Sequence, residues 1–143
     1  MVTFSLSPSK QTERWIERAA HLAVNDACSG EYNLGAIIVK GGSVLSVGTN
    51  RRRNDPLYLP DMPRGDWSFC AEETALGRVK NAGARGATMY VARVTPGGRW
   101  GLARPCDKCA ELIIDAGINK ICYTTAKNSM VMERIRVFEM ASH

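Results

Sequence analysis

Apolar and polar positions repeat with two different periods along the chain, and the first segment has the period of a helix. Residues 7–30 place their apolar groups on one helical face, at Trp15, Ile16, Ala19, Ala20 and Ala23. Ser7 is a suitable N-cap, Pro8 suits the first helical position, and Gly30 provides a stop. This segment therefore predicts a helix of about five turns.

Shorter apolar runs predict strands and further helices. Residues 34–50 contain two such runs about Gly41 and Gly42, a pair that can adopt the positive φ angles of a tight hairpin turn. Strands are also predicted over 87–95 and 120–125. Helices are predicted over 70–81 and 105–116, the second of them stopped by Gly117, and loops over 51–69 and 96–104.

The order of these elements, α-β-β-α-β-α-β, favours an α/β fold built as a three-layer α/β/α sandwich. Residues 130–137 have the apolar spacing of a strand, although Met132 to Met140 also fit a helix. We expect the strand, reached by a turn at residues 127–129 and antiparallel to its neighbour. The sheet is then mixed and five-stranded, with the last two helices together on one face.

Composition limits the class of protein. The chain has 143 residues, of which 45% are apolar, so we expect one domain over 1–143, with disorder in about residues 1–6. Five unevenly spaced cysteines and no signal-like start indicate a cytoplasmic location, where thiols more often serve metals or catalysis than cross-links. No membrane span is expected. The net charge of +5 suits a phosphorylated ligand or nucleic acid without deciding between them.

Thiols stand at the starts of two predicted helices. Cys70 comes two residues before Glu72, and Pro105 precedes Cys106 and Cys109. The partial positive charge and free N–H groups of a helix N-terminus stabilise thiolates. Three such thiolates brought together would bind zinc and leave the fourth tetrahedral position open, as in catalytic zinc sites. A carboxylate beside that position that is not a ligand is what a hydrolytic site needs to move protons.

These residues resemble the signature of the cytidine deaminase superfamily, in which a His or Cys ligand, one residue and Glu are followed by Pro-Cys-x-x-Cys. The signature stands here as Cys70-Ala71-Glu72 and as residues 105–109, Pro-Cys-Asp-Lys-Cys. Cysteine as the first ligand is similar to cytidine and blasticidin-type deaminases. The resemblance implies one zinc per chain held by Cys70, Cys106 and Cys109. It also implies that water activated by zinc attacks the carbon bearing an exocyclic amine, while Glu72 shuttles protons and ammonia leaves.

The resemblance also indicates where a substrate would bind. An asparagine that ends the second strand holds a sugar hydroxyl in that family, and Asn50 stands there. The other candidate substrate-binding residues are Arg51, Phe69, Ala71 and Arg104. The implied partner is a small cytosine-bearing nucleoside or nucleotide, and a homo-oligomer, dimer or tetramer, is expected. Nucleic acid is a less favoured partner, because the sequence has no long basic stripe.

Other interpretations of the same residues stay open at this level. The pair Cys106 and Cys109 could be a redox pair, and a structural zinc would need a fourth ligand such as His21 or His143. Asn50 could be only a turn residue. Cys28 and Cys122 have the surroundings of ordinary core residues.

Several aromatic and basic side chains have two interpretations as well. The aromatic residues Trp67, Phe69, Trp100 and Tyr123 could stack on a base or simply pack. The run Arg51 to Arg53 is either a phosphate clamp or an exposed loop face. The alternatives to a cytosine nucleoside deaminase are a deaminase of another aminated heterocycle, an editor of single-stranded nucleic acid or tRNA, and a zinc module without activity.

Overall fold

The computed structural model describes residues 2–26, 33–52, 68–79 and 83–136 of the chain. The helices and strands of these residues are, in chain order, β1 (Val2–Leu6), α1 (Lys10–Asp26), β2 (Asn33–Lys40), β3 (Ser43–Thr49), β4 (Arg51–Arg52), β5 (Ser68–Phe69), α2 (Ala71–Gly77), β6 (Thr88–Val94), β7 (Trp100–Gly101), α3 (Asp107–Asp115), β8 (Lys120–Thr124) and β9 (Met130–Arg136).

The main sheet is mixed, as predicted. Its strand order is β1-β9-β8-β6-β2-β3, with the short β7 also paired to β6. β6 and β8 are parallel, whereas the other pairs in the sheet are antiparallel. The five predicted strands are all present, and β9 is antiparallel to β8 as expected. β1 and β7 are additional. β4 and β5 form a separate two-stranded ribbon at the two ends of the predicted loop 51–69.

The expectation of disorder in residues 1–6 is wrong for Val2–Leu6. These residues form β1, which pairs antiparallel with β9 in a register that joins Val2 to Arg136 and Leu6 to Met132. Without β1, β9 would present a row of unpaired backbone N–H and C=O groups at the edge of the sheet. Leu6 also packs against the apolar cluster on one face. Backbone pairing and apolar burial together order this segment.

Helices cover both faces of the sheet, which confirms the three-layer prediction. On one face α1 buries Ile16, Ala19 and Ala23 against residues such as Ile37 and Tyr90. On the other face lie α2 and α3, whose buried side chains include Ala71, Ala75 and Ile113. The sheet residues beneath them are apolar on both sides, as expected for a covered sheet.

Helix boundaries differ from the predictions by a few residues. α1 begins at Lys10, because Ser9 rather than Ser7 caps it: the Ser9 hydroxyl accepts the N–H of Thr12 at 3.2 Å. The proposed stop at Gly30 lies outside the described residues. α2 ends at Gly77, earlier than the predicted residue 81.

Glycines are needed at two places in the part of the fold that supports α2. Gly41 and Gly42 have φ angles of 59° and 80°, so the predicted hairpin turn between β2 and β3 is confirmed. Gly48 lets β3 approach α2 closely, because a Cβ atom there would lie only 2.6 Å from the carbonyl oxygen of Ala71. The first turn of α2 therefore rests directly on the backbone of β3.

Candidate active site

Three cysteine side chains meet at the starts of α2 and α3. Cys70 is the N-cap of α2 and Cys106 the N-cap of α3, both with extended backbone. Cys109 lies in the first turn of α3 and is buried. The three Sγ atoms lie within 4.8 Å of one another, and this is the single group of three or more potential metal ligands in the described part of the chain. The fold brings together the three cysteines selected from the sequence.

The spacing and type of these atoms fit a zinc ion. Zinc bound tetrahedrally at about 2.3 Å from each sulfur would set the sulfurs about 3.8 Å apart, which agrees with the observed cluster. All three thiols are free. The described residues add no histidine or carboxylate to the group, so one tetrahedral position stays open. His21 lies on α1, which covers the opposite face of the sheet, and His143 lies outside the described residues.

The pKa and the charges of the cluster also favour a bound cation. The pKa of Cys109 is raised well above its ordinary value, first by its hydrogen bond with Cys70 and then by burial and by the charges of Glu72, Cys70 and Cys106. Negative charges this close together repel one another. A bound dication removes that penalty and holds the ligands as thiolates.

Glu72 is buried beside the thiols, with only 5% of its surface exposed. Burial raises its pKa from 4.5 to about 7, and the charge of Glu73 adds to the rise, whereas a hydrogen bond with the backbone N–H of Glu72 opposes it. Its charge contributes to the raised pKa of Cys109, so the carboxylate is near the cluster. It is not one of the grouped ligands. The carboxylate thus has the placement expected of a proton carrier beside a metal.

An ion pair that was not predicted from the sequence ties the two cysteine-bearing helices together. Glu73 on α2 lies 3.5 Å from the amine of Lys108, which stands between the two cysteines of α3. The same carboxylate accepts the backbone N–H of Cys70 at 3.4 Å. A signal was present, since a glutamate at the third helical position often bonds back to the N-cap. Its second contact, across to α3, depends on the packing of the helices.

Thr124, at the end of β8, holds the chain that leads into Cys106. Its side chain is fully buried; the hydroxyl donates to the carbonyl oxygen of Gly101 at 2.7 Å and accepts the backbone N–H of Arg93 at 3.0 Å. The carbonyl oxygen of Thr124 accepts the N–H of Ala103 at 3.0 Å. These three bonds fasten residues 101–103 to the ends of β6 and β8. Thr124 was not selected from the sequence.

Asn50 lies at the same edge of the sheet as the thiols. It is buried, its Oδ1 accepts the N–H of Leu34 at 2.9 Å, and its own N–H donates to the carbonyl of Leu34 at 3.3 Å. The next residue, Arg51, is the backbone partner of Phe69, which directly precedes Cys70. The chain therefore brings Asn50, Arg51 and Phe69 next to the first cysteine. Ala71 is also there, as the first residue of α2.

The candidate residues not yet placed are Arg104, Tyr123, Trp100, Trp67 and Arg53. Arg104 is exposed and lines a small apolar cavity with Tyr123 and Glu133, toward β8 and β9. Tyr123 is buried, and its hydroxyl donates to Glu133 at 2.7 Å. Trp100 packs against the cluster under α1. Tyr123 and Trp100 therefore serve packing, whereas Trp67 and Arg53 lie outside the described residues.

The other cysteines behave as predicted where they are described. Cys122 is fully buried under α1, on the face of the sheet opposite the thiol cluster. Burial raises its pKa to about 12, so its thiol stays protonated. It is an ordinary core residue. Cys28 lies outside the described residues.

The fold and the site together define a zinc-type hydrolytic deaminase. Residues 9–125 match the family described as the cytidine and deoxycytidylate deaminase zinc-binding region, and the chain belongs to that family. No curated protein matches the sequence. The predicted superfamily is therefore confirmed, while the individual substrate is a separate question.

Solved structures of similar fold support the assignment. Cytidine deaminase from Burkholderia pseudomallei is 25% identical, with a TM-score of 0.61 over 86% of this chain and 92% of that chain. The dCMP deaminase of cyanophage S-TIM5 in complex with dCMP and dUMP is 22% identical, with a TM-score of 0.60 over 84% and 85% of the two chains. RibD from Acinetobacter baumannii is 23% identical, with a TM-score of 0.53 over 81% of this chain and 28% of that chain. At these identities the second and third show the fold alone.

None of the helices in the described part of the chain is long and apolar enough to cross a membrane. The cytoplasmic location expected from the sequence stays a prediction.

Proposed function

We propose that this protein removes the exocyclic amine of a cytosine-bearing nucleoside or nucleotide by hydrolysis and releases ammonia. The observation that carries the proposal is the cluster of three cysteine sulfurs, all within 4.8 Å of one another, beside the buried carboxylate of Glu72. In this proposal Cys70, Cys106 and Cys109 hold one zinc ion per chain. Such an ion would lower the pKa of water to about 7 and act as a Lewis acid.

Glu72 carries the protons of the reaction in this proposal. Hydrolytic deamination adds one water to the carbon that bears the amine, breaks the C–N bond and leaves a carbonyl and ammonia. The Glu72 carboxylate accepts one proton from the attacking water and delivers it to the ring nitrogen, and it then carries the second proton of that water to the amine, which leaves as ammonia. Burial favours this cycle, because it raises the pKa of the carboxyl group toward neutrality, where accepting and giving up a proton are both accessible.

The polar residues beside the cluster are proposed to select the substrate. The side chain of Asn50 is held by Leu34 at the edge where the thiols lie, so it offers a fixed contact for a sugar hydroxyl. Arg51 and Phe69 flank the approach to Cys70 through their backbone pairing. The dCMP deaminase of similar fold binds dCMP and dUMP, which supports a nucleotide as one candidate. Ala71 and Arg104 stay as further candidate contacts, and an oligomer as the candidate assembly.

Exchange of the two neighbouring glutamates tests the catalytic role. Glu72→Gln should keep the fold and the zinc. It should lower turnover by about 10²-fold to 10⁴-fold, which is the usual contribution of general acid–base catalysis. Glu73→Gln is the matched control, since it removes a carboxylate from the same helical turn whose contacts are the ion pair with Lys108 and the hydrogen bond from the N-cap. Ammonia release and zinc content are measured for both variants.

Two results would contradict this assignment. Turnover of Glu72→Gln close to that of Glu73→Gln would remove Glu72 from the chemistry. Loss of zinc from Glu72→Gln, with zinc retained in Glu73→Gln, would make Glu72 a metal ligand instead.

A substrate panel tests the finer part of the proposal. It contains cytosine, cytidine, deoxycytidine, their monophosphates, adenine and guanine compounds, blasticidin S and short single-stranded oligonucleotides, with ammonia release as the readout. We expect a cytosine nucleoside or nucleotide to react best, and Asn50→Ala to harm nucleosides more than free cytosine. Activity confined to oligonucleotides, weakening steeply with salt, would overturn the small-molecule substrate.

A further inference from the structure

Two cations lie side by side at the end of the sheet away from the thiols. Lys120, the first residue of β8, is the cross-strand partner of Arg134 on β9, and Thr88 on β6 is the next neighbour in the same row. Cys122 and Met132, two residues from each cation, are buried in the cluster under α1. Because side chains alternate along a strand, Lys120 and Arg134 point to this same face.

This arrangement is electrostatically unfavourable unless an anion is present. Like charges directly opposite each other on neighbouring strands destabilise a sheet. Both side chains are half-buried, and neither forms an ion pair with any residue in the described part of the chain. The fold therefore keeps two adjacent positive charges together without an acidic partner among those residues.

The two cations line a cavity of about 400 Å³. That volume lies within the range of about 300–1,000 Å³ found for small-molecule pockets. Ser7, Thr88 and Tyr90 add hydroxyl groups to its wall, whereas the hydroxyls of Ser9 and Thr12 are bonded to each other. No aspartate or glutamate is among its described lining residues. The cavity thus combines two cations with several hydroxyl donors.

Tyr90 adds a further polar group to the wall of the cavity. Only 6% of its surface is exposed, and its ring packs 6.2 Å from that of Trp15. Its hydroxyl makes no hydrogen bond with the residues that the structure describes, and it is not one of the buried polar atoms left without a partner, so it is open to the cavity. A ligand in the cavity can accept a hydrogen bond from it.

We propose that this cavity is a second binding site, which takes the phosphate group of a small molecule. Phosphate suits it because the dianion accepts charge-assisted hydrogen bonds from a guanidinium and an ammonium, and further bonds from hydroxyls. Two cations in a concave pocket fit a single phosphate group better than the extended backbone of a nucleic acid, which requires a basic stripe.

The site is separate from the thiol cluster. Lys120 begins β8, whereas the segment that leads into Cys106 is bound at Thr124, where β8 ends. Five residues of strand separate these ends by about 13 Å. The cation pair also lies on the α1 face, whereas α2 and α3 lie on the other. The phosphate bound here is therefore not that of a substrate held at the thiols.

Titration calorimetry on the zinc-loaded protein tests the proposal with inorganic phosphate and with ribose 5-phosphate, at constant ionic strength. The test variant, Lys120→Gln with Arg134→Gln, keeps much of each side chain's apolar stem while removing both charges. The matched control, Lys40→Gln with Lys127→Gln, removes two exposed positive charges elsewhere. Tyr90→Phe removes only the hydroxyl.

We expect the test variant to bind inorganic phosphate or ribose 5-phosphate, or both, at least tenfold more weakly than wild type. Tyr90→Phe should bind the same compound severalfold more weakly. The control variant should bind it as tightly as wild type. Tighter binding of ribose 5-phosphate than of inorganic phosphate would identify a phosphomonoester, and equal binding a free anion. The proposal is overturned if wild type binds neither compound, if the control loses as much affinity as the test variant, or if only oligonucleotides bind.

Discussion

Replacing Thr124 by valine removes the hydroxyl that helps to hold the segment leading into Cys106, and it keeps the branched shape of the side chain. The hydroxyl donates to the carbonyl oxygen of Gly101 and accepts the N–H of Arg93, at 2.7 and 3.0 Å. Thr124 is fully buried, so water cannot replace these contacts without a rearrangement. The substitution leaves two backbone groups without this partner.

A buried polar group that loses its partner costs about 1–3 kcal/mol. Two such groups predict a loss of about 2–6 kcal/mol in the free energy of unfolding, a large share of the roughly 5–15 kcal/mol that a domain has. Thr124→Ser is the matched control, because it keeps the hydroxyl and loses one methyl group, at a cost of about 1 kcal/mol. Equilibrium urea unfolding of the zinc-loaded proteins measures both, with an unchanged m-value expected.

The difference in stability between the two variants shows whether the hydroxyl is responsible. If the valine variant is as stable as the serine variant, the hydroxyl does not hold residues 101–103. If valine is the less stable by more than about 1 kcal/mol, the lost hydrogen bonds outweigh the retained methyl group.

Two further substitutions test the site and its support. Cys106→Ser should lose the bound zinc, whereas Cys122→Ser, a buried cysteine on the opposite face, should keep it; metal analysis showing full zinc in Cys106→Ser would contradict the ligand assignment. Gly48→Ala should destabilise the protein by about 1–3 kcal/mol in urea unfolding, because the added methyl group collides with the backbone of α2. Gly77→Ala, which meets nothing within 4 Å, should be neutral or stabilising, and equal losses for the two glycines would refute the close approach.

The parts of the site that depend on local signals could be predicted from the sequence. Pro105 before Cys106, and the cysteine–glutamate spacing at Cys70, mark helix starts through residues a few positions apart, and helix starts are where thiolates are stabilised. The antiparallel last strand was also predicted from short-range apolar spacing, in Val131 and Ile135. Such signals can be recognised in a single sequence, because they do not depend on which strands pair in the folded protein.

The parts that depend on distant pairing could not be predicted. Val2 and Arg136 pair across nearly the whole chain, and nothing near residue 2 indicates which edge is available. Lys120 and Arg134 become neighbours only through the register of β8 and β9, which a shift of one residue would abolish. The hydroxyl of Thr124 could equally have bonded to its own backbone, as threonines often do.

Topology explains why residues so far apart in sequence form one site. α3 joins the parallel neighbours β6 and β8, so it must begin at the edge where β6 ends. α2 leads into β6 from the same side of the sheet, and so it also begins at that edge and runs back. Two successive helix–strand units with parallel strands therefore place both helix starts, with their partial positive charges, side by side. Cysteines at those two helix starts therefore come together because of the path of the chain. β3 is antiparallel to β2, and β2 is antiparallel to β6, so β3 runs in the same direction as β6. Asn50, which follows β3, therefore lies at the same edge of the sheet.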